Sequence, residues 1–164
     1  MKKIGILSDT HRYIHPELLT FFKDCDEIWH AGDMMDDTIL DYLRAIAPTV
    51  RAVYGNCDDF GIRSQAPEVQ TFECEKHRVA LMHIGGSPSH YSPKAAEIIR
   101  DFKPTIFVTG HSHILQVKYD KKNEMLFINP GAAGRYGFHT RLTFLRMEID
   151  GENIQNMQIY DEPR

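Results

Sequence analysis

The chain has 164 residues, 42% of them hydrophobic and 26% charged, with a formal net charge of −4. This is the mix of an ordinary soluble globular protein long enough to bury one core, and it is read here as a single domain over residues 1–164. The negative balance argues against tight nucleic-acid binding or an anionic-membrane surface, so positive charge for an anionic substrate must come from a few residues or from bound metal.

After Met1-Lys2-Lys3 the apolar run lasts only to Leu7, shorter than the roughly 7–15 residues of a secretory core segment. No run approaches the roughly 18 apolar residues of a membrane span. Cys25, Cys57 and Cys74 are odd in number and form no C-x-x-C pair, which points to a reducing compartment and a cytoplasmic protein.

Lys3–Leu7 reads as a strand, and Pro16–Cys25 as a helix with Leu18, Leu19 and Phe22 on one face. Glu27–His30 is a second short strand. Asp36–Pro48 carries Ile39, Leu40, Leu43 and Ile46 at helical spacing, with acidic residues at its start and proline at its end. Thr49–Tyr54 is a third strand, and Val79–Met82 another apolar run. Ser92–Pro104 opens with a candidate N-cap, Ser92, and Pro93 in the first turn. Thr105–Val108 is again a strand. The last third reads as hairpins: residues 116–128 turn around Lys121–Asn123, and residues 141–160 around Asp150-Gly151. Alternating strands and helices succeeded by paired strands predict an α/β, or α+β, layered sandwich.

The residues just past each apolar run are chemically repetitive. The strand ends release Ser8-Asp9-Thr10-His11, Ala31-Gly32-Asp33, Gly55-Asn56-Cys57-Asp58, His83-Ile84-Gly85-Gly86 and Thr109-Gly110-His111-Ser112-His113. A lone histidine at a strand end is usually structural, and an aspartate before glycine or threonine is usually a turn residue. Together, however, these ends line one crevice in an open α/β sheet, where ligands bind. The donors are Asp9, Asp33, Asn56, His11, His83, His111 and His113, too many for one tetrahedral ion and suited to two if a carboxylate bridges. Mixed nitrogen and oxygen donors favour manganese, iron, cobalt, nickel or zinc over calcium or magnesium. Two such ions clamp the oxygens of a displacement at phosphorus.

At these residues the sequence resembles the calcineurin-like metallophosphoesterases, whose pattern is D-x-H, G-D, G-N-H-E/D, a lone His, then G-H-x-H. All the blocks occur in order between Asp9 and His113. The short length and Asn129-Pro130-Gly131-Ala132 are most similar to the small YfcE-like phosphodiesterase branch. The resemblance implies two mixed β-sheets flanked by helices. It implies a first metal on Asp9, His11, Asp33 and His113, and a second on Asp33, Asn56, His83 and His111. It further implies attack on phosphorus by a metal-bridging hydroxide, with manganese the first choice of metal and nickel, cobalt, zinc or iron as alternatives. Asp33, Asn56 and His83 are the residues assigned to catalysis, and the substrate is a small phosphate ester.

The chain departs from the pattern twice. Cys57 stands where the larger family often has a histidine proposed to protonate the leaving group, so activity is expected without that acid, as in the small branch. Ile84 comes directly after His83 where the family commonly has glycine, which points to a shifted loop. The glycine-rich segment 129–141 carries Arg135, His139 and Arg141. Arg135 and His139 are candidate substrate contacts, beside the alternative of an ordinary loop entering a hairpin. His30 reads as packing or support for the site, Asp58 as a brace for its neighbours, Trp29 as core, and His15, His77 and His90 as surface or structural. A phosphomonoesterase or nucleotidase, and a non-catalytic scaffold such as the retromer subunit built on this architecture, stand as alternatives. A homo-oligomer stays open.

Overall fold

A computed structural model describes residues 1–164. The strands are β1 (Lys2–Leu7), β2 (Glu27–His30), β3 (Thr49–Ala52), β4 (Val69–Cys74), β5 (His77–Met82), β6 (Gly86–Ser87), β7 (His90–Tyr91), β8 (Ile106–Val108), β9 (Leu115–Asp120), β10 (Met125–Pro130), β11 (Arg141–Asp150) and β12 (Asn153–Pro163). The helices are α1 (Leu18–Phe21), α2 (Thr38–Ile46), α3 (Phe60–Arg63) and α4 (Pro93–Phe102). One sheet has the order β12-β11-β1-β2-β3 and the other β4-β5-β8-β10-β9, with β6 and β7 as a separate small hairpin. Both main sheets are mixed. β1, β2 and β3 run parallel, as do β5, β8 and β10, and the hairpin strands β11–β12, β9 and β4 complete the edges antiparallel.

The period-two rule explains the layers. On β1, Ile4 and Ile6 point into the space between the sheets, where they meet Trp29, Val79, Leu81, Ile106 and Val108. Gly5 faces the other way, close under the ring of Phe22. The outer face of the first sheet packs Leu7 and Ile28 against Phe22, Ile39, Leu40 and Leu43. The outer face of the second packs Ala80, Phe107 and Phe127 against Ala95 of α4. The result is helix, sheet, sheet, helix, with one core between the sheets, another of similar size under α1 and α2 and a smaller one under α4, and the expected two-sheet architecture is realised.

Local signals explain most boundaries. Ser92 Oγ accepts from the N–H of Ala95 at 3.2 Å and caps α4, with Pro93 in its first turn. α4 ends at Lys103, in left-handed backbone, just before Pro104. Asp36 Oδ1 accepts from the N–H of Thr38 at 2.9 Å and starts α2. Three expectations need correction. The helix over Pro16–Cys25 is only Leu18–Phe21, and no side chain caps it. Leu19 is 57% exposed while Leu18 and Phe22 are buried. Residues four apart share a helix face, so Leu18 and Phe22 turn inward together, and this single short turn buries a face too narrow to include Leu19 as well. Finally, α3 and β4 stand where the sequence pattern predicts no element. β4 is an edge strand, half-buried with Gln70 and Glu73 in it, so its apolar alternation is weak.

Candidate metal centre

The strand ends converge as the sequence pattern requires. β1 delivers Asp9 and His11, β2 delivers Asp33, and β3 leads into Gly55-Asn56. β5 delivers His83, and β8 delivers His111 and His113. Five of these residues sit in left-handed backbone: Asp9 (φ 54°), His11 (43°), Asp33 (61°), His111 (72°) and His113 (63°). Each such position costs on the order of 1–2 kcal/mol for a residue with a Cβ, so the surrounding fold holds a strained cluster in place.

Asp9 is fully buried. Its Oδ2 accepts from Ser8 Oγ at 2.6 Å and from the N–H of His111 at 3.0 Å. Its Oδ1 lies 3.1 Å from His113 Nε2, 3.6 Å from His11 Nε2 and 3.8 Å from His83 Nε2. Burial pushes this carboxyl up, but the surrounding imidazoles His11, His113 and His83 outweigh it and hold Asp9 well below the usual carboxylate range. Asp33 Oδ1 accepts from the N–H of Cys57 at 2.9 Å, and its Oδ2 lies 3.1 Å from His83 Nε2 and 3.7 Å from His11 Nε2. Burial again opposes ionisation and His83 again prevails, so Asp33 is also lowered.

Asp58 is the brace beneath this cluster. Its Oδ2 accepts from the N–H groups of Asp33 (2.9 Å) and Gly55 (2.8 Å), and its Oδ1 from that of Met35 (2.7 Å). It therefore ties the β2 end to the β3 end and fixes the Asn56 loop. Gly55 must be glycine, because an added Cβ would lie 2.1 Å from Asp33 Oδ1.

The imidazole tautomers are set by their partners. His83 Nδ1 donates to the carbonyl of Ala31 at 2.7 Å, which turns Nε2 toward the two aspartates. His11 Nδ1 faces the thioether of Met35 at 3.1 Å, which can only accept. His139 Nε2 donates to the carbonyl of Gly134 at 2.7 Å, so its Nδ1 accepts from His113 Nδ1 at 3.0 Å, and His113 Nε2 is turned toward Asp9 Oδ1 at 3.1 Å. Two buried side-chain polar atoms have no hydrogen-bond partner anywhere in the chain, and they are His11 Nε2 and His83 Nε2. Buried polar atoms are nearly always satisfied, and imidazoles fixed through one nitrogen with the other free are the arrangement of metal ligands. The donors also group spatially as Asp9–His11–His113 and Asp33–His83–His111, each set with ligand atoms within 4.8 Å of one another. The residues present therefore fit divalent metal.

Beyond the two buried aspartates the cluster opens into a cavity of about 440 Å³, lined in part by His11, Asp33, Asn56, Cys57 and His111. Cys57 shares a third group with His11 and Asp33. Burial and the Asp33 carboxylate push its thiol up. His139 lines the cavity and holds His113, but Arg135 lies over the Tyr13 ring at 4.8 Å, outside that lining. Arg141 also lies outside it, paired with Asp161 at 2.8 Å. Ile84 is exposed, and the close approach in this loop is made by Gly85, where a Cβ would lie 2.8 Å from Phe107 and Thr109.

The calcineurin-like phosphoesterase superfamily domain matches residues 1–152. The chain belongs to this family. Among its relatives, a "probable metallophosphoesterase" of Methanothermobacter thermautotrophicus is 31% identical over 160 residues, covering 92% of this chain and 88% of that protein. Two solved structures share the phosphoesterase fold. Vps29 of Entamoeba histolytica, complexed with zinc, superposes with a TM-score of 0.75 at 19% identity over 98% of both chains. A predicted phosphoesterase of Streptococcus pneumoniae gives 0.70 at 20% identity over 99% of this chain and 98% of its own.

Three of the remaining histidines, His15, His30 and His77, serve the frame of the chain. His30 is buried, accepts at Nδ1 from the N–H of Gly32 (3.0 Å) and contacts Thr10 Oγ1 through Nε2 (3.0 Å), behind the metal-facing residues. Burial pushes it down to about 3, so it stays neutral. His15 is buried against Glu162, and His77 joins Thr105 to the carbonyl of Glu152. Trp29 is core. Two supports escape sequence reasoning. Thr109 Oγ1 accepts from the N–H of Gly85 and donates to the carbonyl of His83, fixing that loop. Asn129 donates to the carbonyl of Gly110 and to Ser112 Oγ, pinning the Gly-His-Ser-His turn. Both stand in segments that the sequence pattern singles out, but their supporting role is hidden because each acts on a loop distant in sequence.

Proposed function

We propose that this phosphoesterase is a dinuclear metal-dependent phosphodiesterase. The observation that carries the reading is the pair of buried, unpartnered imidazole nitrogens, His11 Nε2 and His83 Nε2, facing Asp9 and Asp33. Asp9, His11, Asp33 and His113 would hold one ion. Asp33, Asn56, His83 and His111 would hold the other, with Asp33 shared. Manganese suits this donor set, with nickel, cobalt, zinc and iron as alternatives. Bound divalent ions supply a nucleophilic water at neutral pH and positive charge for the phosphoryl oxygens.

The chain's own residues supply the rest. Ala31 and His139 orient the ligand imidazoles of His83 and His113 through their Nδ1 atoms. Asp58 holds the loop of Asn56 and the backbone of Asp33. No lysine or arginine lines the cavity. A singly charged diester asks less of such a site than a doubly charged terminal phosphate, which supports diester over monoester. The filled donor positions support catalysis over a purely structural role on the same fold. No helix is long and apolar enough to cross a membrane, and the absence of paired cysteines in the sequence supports a cytoplasmic protein acting on a small phosphate ester.

The test is hydrolysis of bis(p-nitrophenyl) phosphate and of p-nitrophenyl phosphate after metal stripping and readdition of manganese, nickel, cobalt, zinc or magnesium. Metal-restored turnover favouring the diester, and lost in Asp33→Asn and His83→Ala, is expected. A preference for the monoester would establish a phosphatase instead, and no turnover with any metal would leave the scaffold reading.

A further inference from the structure

Part of the cavity lining is apolar and aromatic. Ile114, Tyr136 and Phe138 form it, and they are 66%, 68% and 104% exposed. Single exposed apolar residues are common on any surface, but three grouped on the rim of one cavity are a different matter. Here they flank His11, His111 and His113.

The segment that carries the two rings is tied down. Arg164 Nη1 donates to the carbonyls of Arg135 (3.0 Å) and Gly137 (2.5 Å), and His139 Nε2 donates to that of Gly134. Gly137 has φ 130°, and a Cβ there would lie 2.5 Å from His113 Nδ1, so only glycine lets the segment approach the imidazole this closely. The Tyr136 ring lies 5.0 Å from the ring of His11. Arg63 and Lys94 line a separate cavity of about 510 Å³ that reaches Asn56 and His83, and Lys94 is paired with Glu68 at 2.8 Å.

We propose that Ile114, Tyr136 and Phe138 form a subsite that receives a flat aromatic substituent of the phosphate ester. The inference rests on the metallophosphoesterase reading and adds to it the class of ester: one arm of the substrate is an aromatic ring, lying against this wall while the phosphate faces the metal-holding residues. An aromatic arm gains offset or edge contacts with both rings, and a small alkyl arm gains neither.

Calorimetric binding of phenylphosphonate and methylphosphonate to the manganese-loaded protein tests this. The two probes present the same phosphonate group and differ in the ring. Phenylphosphonate is expected to bind about five- to tenfold more tightly. Phe138→Ala is expected to remove most of that ratio and Phe138→Tyr to keep it. Phe138 is fully exposed, so neither change disturbs the core. Equal binding of the two probes, or a preference unaltered in Phe138→Ala, overturns the subsite and leaves the metal centre standing. Failure of both probes to bind the metal-loaded protein overturns the phosphoesterase reading and the subsite with it.

Discussion

Asp58 offers a sharp test of how the centre is held. It is buried and accepts three backbone N–H groups, from Asp33 and Gly55 on one oxygen and from Met35 on the other. In Asp58→Asn one oxygen remains. If it keeps the Asp33 and Gly55 bonds, the new amide nitrogen faces the N–H of Met35 donor to donor. One charge-assisted bond is lost, at about 1.5–3 kcal/mol, and the two that remain fall to roughly half strength. The total, about 3–6 kcal/mol, would lower the melting temperature by about 6–24 °C in a chain of this size. The assay is thermal unfolding monitored by circular dichroism with a chelator present, so that metal binding does not contribute to the apparent stability. Asp59→Asn is the control. Asp59 caps α3 from an exposed position, accepting from Gly61 at 3.0 Å, and asparagine caps as well as aspartate. It should melt within about 2 °C of the parent. An Asp58→Asn protein as stable as that control would refute the brace.

The same geometry sets further outcomes. Gly55→Ala places a methyl 2.1 Å from Asp33 Oδ1 and should cost about 1–3 kcal/mol together with most of the bound metal. Gly61→Ala, with its nearest neighbour at 3.3 Å, should keep both, as melting and metal content will report. His30 is pushed down to about 3 by burial, so between there and its ordinary value near 6.5 the unfolded chain binds a proton that the folded chain does not. Stability then falls as pH drops through that window. By about pH 5 the loss is roughly 2 kcal/mol relative to neutral pH, and urea unfolding of the chelated protein should show that share missing in His30→Gln. Cys57→His should raise turnover only for diesters with poor leaving groups, and no change on any substrate would mean that a missing proton donor at this position does not limit the enzyme.

The parts of the site legible in the sequence are those where chemistry sits directly on a strand end. Asp9, His11, Asp33, His83, His111 and His113 each come within a few residues of an apolar run, and the parallel strands carry them to one edge. Asn56 arrives in the same way and lines the cavity. The features hidden from the sequence depend on contacts between distant segments. The left-handed backbone at five of these residues comes from the fold around them and not from glycine. Arg135 reads as an anion contact in a glycine-rich loop, yet it is drawn onto Tyr13, more than a hundred residues away in sequence. His139 reads as a substrate contact; it lines the cavity, and its bond to His113 is the part hidden from the sequence. Leu19 is misplaced because the helix is too short for its pattern to average, and β4 is invisible because an edge strand needs little apolar alternation. The rim formed by Ile114, Tyr136 and Phe138 reads as ordinary hydrophobic residues until the cavity gathers them.

The central claim is that these strand ends hold two ions through a shared Asp33. Equilibrium dialysis of the stripped protein against manganese, with bound metal counted per chain, tests it most directly. Two ions should bind to the parent, one to His113→Ala with its surviving set of Asp33, Asn56, His83 and His111, and neither tightly to Asp33→Asn. A parent chain that binds one ion or none, or an Asp33→Asn chain that still binds two, would contradict the account.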